Sequence, residues 1–245
     1  MEVHTHSHTA RKKWTHYFWE FLMLFLAVFC GFLAENQREH MIENQREKKY
    51  IRSLYEDLKR DSAALASEID YRSGLTYSAR YLIAELDNAA TIKYTDSIYT
   101  MAYHLTANPR FEYSNATIEQ LKSSGLLRLI HKQEVADNII AYDIAVHRYF
   151  AREEGEKEIR PEYRKAIAEI LDAKFLLLFH DMNKKNSYQP INLPFLSTSP
   201  EKLNRIKGNA AQLLNLNSIT IYTLETIKKK RNNLAELLRR EYHLK

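Results

Sequence analysis

From Phe21 to Ala34 the chain runs for fourteen residues with no polar side chain except the weakly polar Cys30. Together with the preceding turn Tyr17-Phe18-Trp19-Glu20 this makes eighteen residues. A helix rising about 1.5 Å per residue covers about 27 Å over that length, close to the hydrocarbon thickness of a bilayer. Residues 14–35 therefore read as a transmembrane helix. The two tryptophans of the chain, Trp14 and Trp19, stand at its start with Tyr17, where amphipathic rings favour the headgroup level. A cleaved signal peptide would share the basic flank and the apolar run. No small-x-small site follows, however, and the run passes directly into the strongly helical ENQREHMIENQREKKYIRSL, so a retained anchor is expected. Arg11, Lys12 and Lys13 precede the span against Glu2, whereas residues 35–49 carry four bases and four acids. The positive-inside rule then puts the tail 1–13 in the cytoplasm and the bulk of the chain outside.

The remainder argues for helix. In 245 residues, 45% of them hydrophobic, there are five glycines and five prolines, too few for the turns of a many-stranded sandwich or barrel. One cysteine excludes an intramolecular disulfide and a Cys₂ or Cys₄ metal site. The expected fold is all-α, with a stalk over 36–72, a helical domain over 73–198 and a long C-terminal helix over 199–245 that packs back on the stalk.

Stepping three and four residues from Glu20 gives one stripe: Met23, Ala27, Cys30, Ala34, Gln37, Met41, Asn44, Lys48, then Ile51, Tyr55, Leu58, Ser62, Leu65 and Ile69. Inside the bilayer it holds Ala27, Cys30 and Ala34 with Gly31 beside them, small side chains that let two helices approach closely. Self-association through anchor and stalk follows as an expectation. Glu20 shares the face, and a carboxylate in an apolar span costs about 2.5–3.5 kcal/mol at the bilayer centre. It reads equally as a hydrated interfacial residue and as a functional one that, with Gln37 and Asn44, lines a cation path. The repeat Glu35–Glu39 and Glu43–Glu47 reads as a solvated helical spacer.

Beyond the stalk, Leu75, Ala79, Leu82, Ile83 and Leu86 mark one helix, and Ile98, Met101, Ala102 and Leu105 another. Thr117-Ile118-Glu119-Gln120 has the form of a capping box opening a short helix over 118–124, with Gly125 as its C′ residue. Val135 to Tyr149 form a fifth helix, and Tyr163 to Leu178 a sixth opened by Pro161. Ser199 with Pro200 starts the C-terminal helix.

The basic N-terminus, the acidic Glu20 in the first turn of the span, Glu35-Asn36 at its exit and the block TIEQLKSSGLLRLIHKQEVADNIIAY from Thr117 to Tyr142 together resemble a large uncharacterised family of single-pass proteins from Bacteroidota-type bacteria. The LKSSGLLRLI run is the most distinctive part, and the likeness covers most of the chain. It implies an inner-membrane location and brings no established activity or catalytic residues. The chain departs from the pattern at Ala27, where glycine is expected, with Gly31 one turn further on.

Other constellations carry less. His4, His6 and His8 alternate in the tail and have the spacing of an incidental transition-metal chelate. His104, His131, His147, His180 and His243 fall on separate segments without His-x₃-His spacing. No nucleophile elbow, Walker motif or glycine-rich phosphate loop occurs, and no cofactor is expected. The formal charge of +5 comes from 36 bases interleaved with 31 acids, so nucleic-acid binding is not expected. The expected role is a non-enzymatic, self-associating periplasmic protein of the inner membrane, with the bilayer, its own copies and other envelope proteins as partners. A homo-oligomeric cation channel is the alternative, and a domain sensing a ligand near Asn183–Ser199 the third reading.

Overall fold

The structure is a computed structural model that describes residues 14–88, 95–175 and 192–244. The tail with Arg11, Lys12, Lys13, His4, His6 and His8 lies outside the described residues, as does 183–191 of the irregular segment. The described residues are overwhelmingly helical, with one isolated antiparallel bridge between Leu171 and Phe195. The helices are α1 (Trp14–Glu85), α2 (Asp96–His104), α3 (Ala116–Ser123), α4 (Gln133–Ala168) and α5 (Pro200–Tyr242), with 3₁₀ turns at Leu86–Asn88 and Leu126–Leu129. The chain divides into two compact units, Met1–Lys49 and Tyr50–Lys245.

In the first unit every described residue is helical, and almost all are exposed in the single chain. Helix α1 is long enough and apolar enough to cross a membrane.

The second unit is built on three helical stretches. Arg231 Nε donates to the Leu58 carbonyl at 2.6 Å and Arg72 Nη1 to Asn217 Oδ1 at 3.2 Å, while Lys207 pairs with Asp87, so α5 runs antiparallel to α1. Lys132 pairs with Glu241 and Arg205 with Glu169, so α4 and α5 are antiparallel as well. The apolar side chains that meet form two buried clusters. One contains Ile51, Leu58, Leu65, Ile118, Ile139, Tyr142, Leu224 and Leu238. The other contains Leu75, Leu82, Tyr99, Ala102, Tyr163, Ile167, Leu203 and Leu213.

Several boundaries differ from the sequence reading. The helix expected over Leu75–Leu86 is the continuation of α1, because no proline interrupts it and the lone Gly74 in this stretch is accommodated. A Cβ at Gly74 would meet His104 Cε1 at 3.2 Å, so the glycine is where α2 comes close to α1. The fifth and sixth helices are one: Pro161 lies inside α4, which ends at Ala168. Proline removes one backbone donor and leaves the carbonyl of Lys157 unbonded, and packing on both sides carries the helix through. Ile170 and Leu171, assigned to the same helix, lie beyond its end, where Leu171 bridges to Phe195. Pro200 does open α5, but the Ser199 hydroxyl makes no capping bond. Gly125 follows α3 with φ +65°, the left-handed conformation that suits glycine.

Candidate functional site

The anchor side chains divide by size around α1. At about 100° per residue, Glu20, Met23, Ala27, Cys30, Gly31 and Ala34 occupy one face, and Phe18, Phe21, Phe25, Phe29 and Phe32 the opposite one. The rings stack along that face, Phe21 on Phe25 at 6.3 Å and Phe25 on Phe29 at 5.9 Å between centroids. The phenylalanine face was legible as an i, i+4 series, but attention to the small residues passed over it. Trp14, Tyr17 and Trp19 are exposed. Glu20 lies one turn from His16, whose Nε2 is 3.0 Å from its Oε1. Gln37 and Asn44 are exposed on the following turns, and a Cβ added at Gly31 would meet nothing within 4 Å.

The stripe drawn from Glu20 to Ile69 does not serve one purpose. Ile51, Leu58 and Leu65 are fully buried inside the second unit's own core. They are used within the chain and are not open to a second copy. On the part of the stripe before Tyr50, Gln37, Met41 and Asn44 are exposed in the single chain.

At one level of the second unit's core, polar residues from all three long helices come together. Steps of seven along α1 read Leu58, Leu65, Arg72, Ala79 and Leu86; along α4, Ile139, Val146, Glu153, Arg160 and Ile167; along α5, Leu203, Ala210, Asn217 and Leu224. Arg72, Glu153 and Asn217 meet there. Arg72 is fully buried; its Nε donates to Glu68 Oε1 at 2.5 Å, and its Nη2 to Glu153 Oε1 at 3.1 Å and to the Pro109 carbonyl at 3.2 Å. Tyr149 also donates to Glu153 Oε1, at 2.5 Å, and Arg110 Nε is 3.4 Å from its Oε2. Two guanidinium groups thus face two carboxylates. Sequence reasoning missed Arg72 and Glu153; the signal for Arg72 was a charged residue at a heptad position between the apolar Leu65 and Ala79.

A second set of carboxylates fastens α3. Asp57 Oδ2 accepts the Thr117 amide at 3.2 Å, Asp61 Oδ1 accepts the Ser114 amide at 2.8 Å, and Asp61 Oδ2 accepts the Tyr142 hydroxyl at 2.6 Å. Asn115 at the N-cap position makes no side-chain cap, so the expected capping box is replaced by an aspartate from α1. A carboxylate there meets free backbone amides and the positive end of the helix dipole. Burial raises the Asp61 pKa, against the lowering effect of its bonds from Tyr142 and Ser114.

One group among the described residues has the spacing of metal ligands: Glu119, Asp143 and His147, with ligand atoms within 4.8 Å of one another. Lys122 stands among them, donating to Asp143 Oδ2 at 2.9 Å and Glu119 Oε1 at 3.2 Å. Those bonds raise its pKa and hold it as an ammonium. The Lys122 ammonium therefore fills the place of a cation, and the cluster ties α3 to α4 as an ion network.

The described end of the irregular segment, 192–199, packs as a strap. Tyr99 donates to the Pro194 carbonyl at 2.6 Å and accepts the Asp172 amide at 3.0 Å, and its ring stacks on Phe195 at 6.1 Å. Thr95 Oγ1 accepts the Leu193 amide at 2.6 Å. Comparison with family models, with curated proteins and with solved structures finds no match to this chain.

Proposed function

We propose that this chain is a non-enzymatic protein anchored in a bacterial inner membrane, with a cytoplasmic N-terminus and a periplasmic helical domain, that self-associates through its anchor. The observation that carries the reading is the separation of side-chain size around α1. Bulky phenylalanines suit lipid, whereas Ala27, Cys30, Gly31 and Ala34 suit close approach of a second helix, where packing rather than hydrophobic drive holds helices together. The contact is confined to the part of α1 before Tyr50, since the later stripe is consumed by the domain's own core.

Cys30, the single cysteine, tests the reading directly. Oxidation of the full chain in native membranes is expected to give a disulfide-linked dimer. Ala27→Leu and Ala34→Leu are expected to abolish it, and Phe25→Leu on the opposite face to leave it intact. Monomer under all conditions, with the same mass in detergent, overturns the proposal.

A second reading draws on Glu20, which lies on the same face as the small residues, so that copies packed there bring their carboxylates together. Rings of acidic side chains pass cations. It predicts a bilayer conductance reduced by Glu20→Gln, and absence of current removes it.

A further inference from the structure

We infer that the second unit consists of two cooperative parts divided at Arg72, and that the part on the Leu86 side opens while the part on the Tyr50 side stays folded. Three independent observations lead there. The buried apolar side chains fall into two separate clusters, one on each side of Arg72. Between them lie Arg72, Glu68, Glu153 and Asn217, and the buried Asn217 Nδ2 has no hydrogen-bond partner. An interruption of that kind weakens cooperativity, because apolar contacts do not run through it and sub-global opening follows contiguous packed blocks.

The third observation lies in the sequence of the three helices. On the Tyr50 side, the stretches 50–71, 133–152 and 218–242 contain no glycine or proline. On the Leu86 side, α1 has Gly74, α4 has Gly155 and Pro161, and α5 has Gly208. Glycine loses more backbone entropy on folding and proline removes a helix hydrogen bond. Every interior helix-weakening residue of the three stretches is thus at the level of the polar residues or beyond it. The Leu86 side is closed by α2 and the strap at Tyr99, short segments that the three long helices do not carry through the polar level.

Native-state hydrogen exchange of the full chain in detergent, read as a function of added urea, tests this. Amides in 75–86 and 98–105 are expected to share one opening that exchanges at least tenfold faster than amides in 51–65. Leu82→Ala is expected to accelerate the first group alone. Tyr99→Phe, which keeps the ring and removes only its hydroxyl, is expected to do the same more mildly. A single opening common to both groups, or equal acceleration of both by Leu82→Ala, overturns the inference.

Discussion

On the Tyr50 side of Arg72 the loop before α3, and α3 itself, are held by carboxylates of α1: Asp57 takes the Thr117 amide and Asp61 the Ser114 amide and the Tyr142 hydroxyl. On the Leu86 side, guanidinium donors and neutral groups share the fastening: Arg160 Nη1 donates to the Leu105 carbonyl at 3.4 Å and to the Ala107 carbonyl, and Arg164 Nη2 to the Thr106 carbonyl at 2.7 Å. The Tyr99 hydroxyl and Thr95 hold the strap, Tyr163 donates to the Ala102 carbonyl at 3.0 Å, and Ser78 lies 2.8 Å from His104 Nδ1. Both sides bury leucines to the same degree, so the difference lies in the directional contacts. Charge-assisted bonds to the backbone occur on both sides; on the Tyr50 side the charge is a carboxylate of α1, which makes the attachment of α3 depend on α1.

The comparison is broken most severely at the shared residue. Arg72→Ala leaves Glu68 and Glu153 without their central cation and is expected to cost about 3–5 kcal/mol, measured by urea unfolding in detergent, with both sides affected. Next come the hydroxyls. Tyr142→Phe, which takes a partner from buried Asp61, is expected to cost about 1–3 kcal/mol, seen as faster exchange on the Tyr50 side; Tyr99→Phe is the matched change on the other. Asp57→Ala removes the cap of α3 and is expected to cost about 1 kcal/mol, with loss of protection confined to 114–124.

The smallest effect is one of sign. Burial lowers the His104 pKa from 6.5, so its contribution to the Leu86 side is present above pH 6.5 and is lost as pH falls through the lower folded value. Asp61 is raised from 3.8, so its contribution is full below pH 3.8 and is lost as pH rises through the folded value. Acidification from pH 7 to 4.5 is therefore expected to loosen the Leu86 side and not the Tyr50 side. Glu241, lowered from 4.5 to about 2 by Lys132 and Arg240, changes only below that window. Exchange measured at both pH values checks the sign, and His104→Asn is expected to flatten the response.

Much of this architecture was legible. Scarcity of glycine and proline gave the all-α class, the apolar run gave the membrane-crossing candidate, and Ser199-Pro200 marked the start of a helix that runs from Pro200 to Tyr242. Periodicity reports that a face is apolar, not whether its partner lies in the same chain, so the stripe from Glu20 was read as one surface when Ile51 onward belongs to the domain's core. Pro161 misled because the cost of an interior proline is local and tertiary packing can exceed it. The capping of α3 was invisible for a different reason: Asp57 lies sixty residues from Thr117, and a local motif that fitted was already present at Thr117-x-x-Gln120.

The antiparallel pairing of α1 with α5 also sets a timetable for biosynthesis. Arg231 meets Leu58 across a separation of 173 residues, and at about 5–20 residues per second the ribosome takes roughly 10–35 s to supply the partner. For that interval Ile51, Leu54 and Leu58 have no α5 to cover them. Maturation of this chain is thus expected to depend on whatever shields that face until the last helix is made, and truncation within α5 to leave a product prone to aggregation rather than a shorter working protein.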